Sequence, residues 1–277
     1  MQSYSMKKNN RLWGILSKTM IGVTLLFFYL PIFYIMVFSF NGSKSLTRLE
    51  GFSLQWYEQV LTETSPTNYL GAIWTTVWIA LVATAISTIL GTITAIGLSK
   101  SGKILRSSVE RVNELPIMNP DIVTGISLLM LFSAFSFIPK GNITMLLAHI
   151  MFCTPFVILS VMPKLRTLDP NLTDAALDLG CTPFQAMYKV ILPQIVPNII
   201  AGALIAFTMS FDDFVISYFV TGEGVQNISI LVYALTKRVN PSINALSTIV
   251  ILIILVGLIV INLVSMGLNK NKNKSSV

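Results

Sequence analysis

Residues 205–220 read IAFTMSFDDFVISYFV, a run of apolar and weakly polar residues broken by two adjacent aspartates, Asp212 and Asp213. Whether this run crosses a bilayer decides the fold, and the rest of the chain says that it does. Of 277 residues, 53% are hydrophobic and only 11% charged, against about 25% charged in an ordinary soluble chain. The mean hydropathy is +0.73. Two cysteines and one histidine exclude a disulfide framework and argue against a metal centre with several side-chain ligands.

A helix needs about 20 apolar residues to cross the hydrocarbon core. Six runs qualify or nearly so, at about 19–40, 70–98, 119–138, 143–163, 198–220 and 245–268. The expected fold is therefore all-α and polytopic, with six transmembrane helices. The third and fourth are joined by the tight hairpin Pro139-Lys140-Gly141-Asn142. With the N-terminus inside, 14 of the 19 lysines and arginines fall on the cytoplasmic side. That bias places both termini in the cytoplasm, and it makes the net charge of +7 a topological signal rather than a nucleic-acid footprint. The first run is longer than a signal-peptide core and no A-x-A site follows it, so it reads as a retained anchor.

Small residues recur every fourth position on the second span, at Ala83, Ser87, Gly91 and Ala95, and on the fifth at Gly202, Ala206 and Ser210. Such faces let helix backbones approach closely, so the second and fifth helices are expected to pack together. The segment Gly97 to Lys103 fits G-x-x-x-x-G-K, yet Ile104 stands where a hydroxyl should meet magnesium. It leaves a membrane helix rather than a strand and is read as a basic loop end.

The loop after the fourth span carries more information. Asp169-Pro170 opens a helix and Gly180 ends it. Thr182-Pro183-Phe184-Gln185 then starts a second helix with a capping box. Pro193 is expected to stop that helix soon after. The face Ala175, Ala176 and Leu179 is small and flat; it suits either a socket in a partner protein or a cover over the bundle. Asp174-Ala175-Ala176, Gly180, Val190, Leu192 and Pro193 have the unbroken spacing E-A-A-x3-G-x9-I-x-L-P, with Asp for Glu and Val for Ile. On these residues the chain resembles the permeases of ATP-binding-cassette importers, with a type I core of five helices over about 70–268 and a coupling loop over 164–197. Residues 1–69 add one helix and an external loop, and 269–277 a cytoplasmic tail. The resemblance implies a prokaryotic cell membrane, a second homologous permease, a cytoplasmic ATPase dimer docked on the coupling loop, and an extracytoplasmic binding protein. It also implies no catalytic group and no cofactor in this chain, with ATP and magnesium held by the ATPase subunits.

Residues 210–222 further resemble the permeases of spermidine/putrescine importers. A charge near the bilayer centre costs about 2.5–3.5 kcal/mol on insertion scales and faces a cavity or a partner. At spacings of 3, 4 and 4 residues, Ser210, Asp213, Ser217 and Thr221 form one polar stripe of the fifth helix, bordered by Phe207, Phe211, Phe214 and Tyr218. A carboxylate between aromatic faces suits a flexible organic cation, which makes Asp213 the stronger candidate for the pathway. The aromatic line also suits plain packing. Asp212 is read either as a pathway residue or as a buried structural pair with Lys237, Arg238 or a neighbouring subunit. Asp121 is read as complementing a helix N-terminus, His149 as a satisfied interior histidine, and Cys153 and Cys181 as small apolar residues. Alternatives within the family are importers of thiamine, an iron chelate or an oxyanion; outside it, a secondary cation transporter or an intramembrane enzyme.

Overall fold

The computed structural model describes residues 2–45, 47–62, 68–135, 138–169, 171–222, 224–237, 240–255 and 259, with side chains from Trp13 onward. Contacts divide the chain into two units, 69–233 and the remainder.

In the terminal unit, α1 (Gln2–Phe38) contains an apolar stretch of 26 residues from Trp13, long enough to cross a bilayer. The loop after it is organised by buried Asn41. Its Nδ2 donates to Ser45 O and Arg48 O, its Oδ1 accepts from Glu50 N–H, and Trp56 of α2 (Gln55–Leu61) donates its indole N–H to Asn41 O. The sixth apolar run is helical over Ser242–Leu255; most of its remainder lies outside the described residues.

The central unit contains α3 (Tyr69–Lys100), α4 (Lys103–Met118), α5 (Asp121–Ala134) and α6 (Asn142–Thr167). The hairpin helices α7 (Leu172–Asp178) and α8 (Pro183–Ala186) follow, then a π-turn at Met187–Ile191 and α9 (Leu192–Asp212). Short α10 (Val215–Val220) and the first part of α11 (Ile228–Lys237) complete it. Four described helices are long and apolar enough to cross a membrane, or five if α4 and α5, bent by 104° where they join, count as one span. Six spans are therefore not reached among the described residues.

The core forms around α6, whose Met145, Ala148, Cys153, Val157 and Val161 are fully buried. The glycines of both small-residue faces meet this helix. A Cβ added to Gly91 would lie 2.7 Å from Val157 Cβ, and one added to Gly202 would lie 3.2 Å from Val157 Cα. The expected pairing of second and fifth spans holds, since α3 and α9 pack on each other, and α6 is a third partner that both grip at these glycines. Ser87 Oγ donates to Ile150 O, and Ser160 and Asn198 exchange two hydrogen bonds, so the apolar packing also has a polar register.

Candidate functional site

Two breaks between successive helices lie side by side. Between α4 and α5, Asn119 is extended (φ −78°, ψ 141°) because it precedes Pro120, and Pro120 offers no N–H to continue α4. Between α9 and α10, Asp213 is extended at φ −61°, ψ 126°. Its carboxylate takes over the helix-starting role, with Oδ2 accepting from Ser217 N–H at 2.7 Å and Oδ1 from Ile216 N–H at 3.3 Å. Aspartate favours such local bonds over helix interior, so the aspartate pair that marks the fifth span also ends its helix.

A cavity of about 390 Å³ opens where the breaks face each other. Pro116, Ile117, Asp121 and Thr124 line it from α4 and α5, Phe152 and Phe156 from α6, and Met209 with residues 212–216 from the α9–α10 break. Asp121 and Asp212 are exposed, whereas the Asp213 side chain is only 8% exposed. The helices α4 and α9 both end here, and their last carbonyls lack helical partners, carrying partial negative charge. Asp121 in the first turn of α5 and the Asp213 cap offset the opposite polarity of the two helix N-termini. No lysine or arginine lines the wall among the described residues. The arrangement favours a cation with an apolar stem. Asp121 stands in the first turn of α5, as the sequence implies, but its place on the cavity wall, with Phe152 and Phe156, was not foreseen.

The polar stripe drawn on an unbroken helix is corrected by the break. Ser210 and Ser217 are 2% and 0% exposed, and both turn to His149, with Nδ1 at 2.6 Å from Ser210 Oγ and Nε2 at 2.9 Å from Ser217 Oγ. Thr221 is also buried and donates to Val225 O. These groups sit in packed interior rather than along a water path. The aromatic line divides as well: Phe207 pairs with Phe211, while Phe214 and Tyr218 join Tyr233. Of that line, only Phe214 reaches the cavity wall. For Asp212 no ion pair forms among the described residues; Arg238 lies outside them.

The hairpin of α7 and α8 sits at the end of the α8–α9 stretch opposite Asp212. Cys181 N–H bonds Ala176 O, Gly180 N–H bonds Leu177 O, and Gly180 takes φ +82°, the paired closure that a left-handed glycine allows. Thr182 and Gln185 complete the capping box in both directions. Pro170 lies outside the described residues; α7 starts at Leu172, after Asp169 Oδ1 accepts from Asn171 N–H. The face proposed from sequence is split. Ala175 and Leu179 point outward, Leu179 at 87% exposure, whereas Ala176 is buried. Phe184 (79%) and Tyr188 (64%) extend the outward surface and were missed. Asp174 is exposed near this face, while Val190 and Leu192 are partly buried at the π-turn. Pro193 does not end the helix: Leu192 N–H reaches back to Met187 O. That wider turn lets the helix continue through the proline, so Pro183–Asp212 is one span of 30 residues.

Residues 87–274 match the family described as binding-protein-dependent transport system inner membrane component. The chain belongs to this family. The permease is 38% identical over 232 residues to the putrescine transport system permease protein PotI of Escherichia coli K12, covering 81% of this chain and 82% of that protein. It is 35% identical to the spermidine/putrescine transport system permease protein PotC of the same organism over 240 residues, covering 86% and 89%. A crystal structure of a bacterial transporter involved in importing the acidic polysaccharide alginate superposes with a TM-score of 0.70 at 17% identity, covering 93% and 96%. The type I importer permease fold, with all-α spans in a multi-pass membrane protein, follows from these together. Among the described residues, no group of three or more His, Cys, Asp or Glu is placed to hold a metal.

Proposed function

We propose that this permease carries polyamines, putrescine or spermidine, across the membrane of a prokaryotic cell by alternating access. The observation that supports it most directly is the cavity at the two breaks. It presents carboxylates of Asp121 and Asp212, two helix C-termini and aromatic walls, with no basic side chain among the described residues. A polyamine has ammonium groups for the first two and methylenes for the third. An oxyanion would meet repulsion from every charged group there, and the family relatives above are putrescine and spermidine permeases.

Asp212 and Phe214 are the pathway residues of the break, with Asp121 opposite them; Asp213, Ser210 and Ser217 hold the break in shape. Phe211 and Tyr218 pack behind it. Both termini are cytoplasmic, residues 70–268 form the transport core, and 164–197 form the coupling loop. A second homologous permease completes the pathway, a cytoplasmic ATPase dimer binds Ala175, Leu179 and Phe184, and an extracytoplasmic protein delivers the cargo. The chain contributes no catalytic group, and ATP with magnesium belongs to the ATPase.

The test is uptake of radiolabelled putrescine and spermidine by the complete complex, wild type and Asp212→Asn, with assembly verified by co-purification. Reduced uptake by the variant and competition by unlabelled polyamine are expected. Full uptake by Asp212→Asn removes that residue from the pathway. Competition by thiamine, an iron chelate or an oxyanion instead reassigns the cargo.

A further inference from the structure

The His149 ring is 1% exposed, and its hydrogen bonds run to both sides of a helix break. Nδ1 meets Ser210 in the last turn of α9, and Nε2 meets Ser217 in the first turn of α10. Asp213 Oδ2 is 3.6 Å from Nε2, outside hydrogen-bond range. A neutral imidazole has one donor and one acceptor nitrogen, so two hydroxyls satisfy it completely. An apolar side chain could pack α6 against α9 without burying polar atoms. It could not bond two helix ends across Asp213 and Phe214, where helical hydrogen bonding lapses. At the other end of α10, Thr144 Oγ1 donates to Val220 O at 2.7 Å. Helix α6 therefore fixes α10 at both ends.

We propose that His149 is a positioning residue for the cavity: by bonding both sides of the α9–α10 break it holds Asp213 on the α10 N–H groups and Asp212 on the cavity wall. The inference rests on reading that cavity as the cation pathway, and the imidazole itself touches no cargo.

A packing role needs only volume, whereas a clasp needs both nitrogens. His149→Phe keeps the ring and removes both bonds; His149→Asn places an amide near Nδ1 and His149→Gln near Nε2, keeping one bond each. In proteoliposomes holding the complete complex, His149→Phe is expected to raise KM for putrescine about tenfold, with the maximal rate largely kept. The Asn and Gln variants should fall between. In parallel, an Asp212→Cys reporter, with Cys153 and Cys181 changed to serine, is labelled by a cationic thiosulfonate; His149→Phe should slow that labelling to a similar degree. Unchanged KM in a transporting complex overturns the proposal, whatever the labelling does. If His149→Phe does not assemble, Asn and Gln decide: wild-type values for both overturn it. Should the wild-type complex move no polyamine, the cargo assignment fails, and unchanged labelling then overturns the clasp separately.

Discussion

Asp212 and Asp213 are neighbours with the same side chain, yet the break between α9 and α10 gives them different tasks. Asp213 is turned inward as a cap on two N–H groups, and Asp212 faces the cavity. Replacing Asp213 with alanine removes the cap, a loss of about 0.5–2 kcal/mol for such positions. The expected result is a lower thermal midpoint of the purified complex, measured in detergent, while Asp212→Asn leaves that midpoint near the wild-type value. The sequence showed that a carboxylate here needs a reason, but it drew both residues on one continuous helix. Two consecutive aspartates in an apolar run also signal a helix end, and the stripe through Ser210 and Ser217 hid it because both serines serve His149. Gly91 is a second residue-scale case. Its missing side chain admits Val157 at 2.7 Å from an ideal Cβ, so Gly91→Ala overpacks the α3–α6 contact. A destabilisation of about 1–3 kcal/mol is expected, read as loss of folded permease in a thermal-shift assay.

At the scale of elements, local chemistry was the most legible part. The glycine closure of α7 and the Thr182 capping box were both readable because they depend on residues within one turn. Pro193 misled for the opposite reason. It removes one hydrogen bond, but whether the helix stops depends on the turn before it, and five residues of π-helix supply the widened turn. The exposed faces were misjudged where burial depends on the neighbouring element: Ala176 is buried in a helix that packs against α8 and the π-turn, which no spacing rule foresees. Helix α4 was absent from the reading because its composition is too polar for a span. It is tied to α6 by Glu110 to Arg166 and by Asn113 Nδ2 to Pro155 O. If the hairpin docks on an ATPase, Leu179→Cys should crosslink to that subunit through a short bifunctional reagent, and Ala176→Cys should label far more slowly. Equal crosslinking at both positions contradicts the orientation of α7.

For the whole molecule, hydropathy located the apolar runs but not which of them is central, since every span is apolar whether it faces lipid or protein. Helix α6 becomes the hub because both small-residue faces close on Val157 and because its polar groups reach α3, α9 and α10. On this hub rests a single rod, Pro183–Asp212, with the outward hairpin at one end and the cavity at the other. Thirty helical residues span about 45 Å, so if an ATPase pushes the hairpin, that push reaches Asp212 only as far as the rod stays stiff. Its one irregular turn, Met187–Ile191, is where stiffness can be altered without touching the core, because Tyr188 and Lys189 are exposed. Glycine costs about 1 kcal/mol relative to alanine inside a helix. The double change Tyr188→Gly with Lys189→Gly should therefore soften the joint, while Tyr188→Ala with Lys189→Ala removes the same side chains and keeps it firm. In proteoliposomes the glycine pair should hydrolyse ATP at a near-normal rate and import several-fold fewer polyamines per ATP than the alanine pair. If both pairs import equally, motion does not travel along this rod, and the coupling must run through α6 instead.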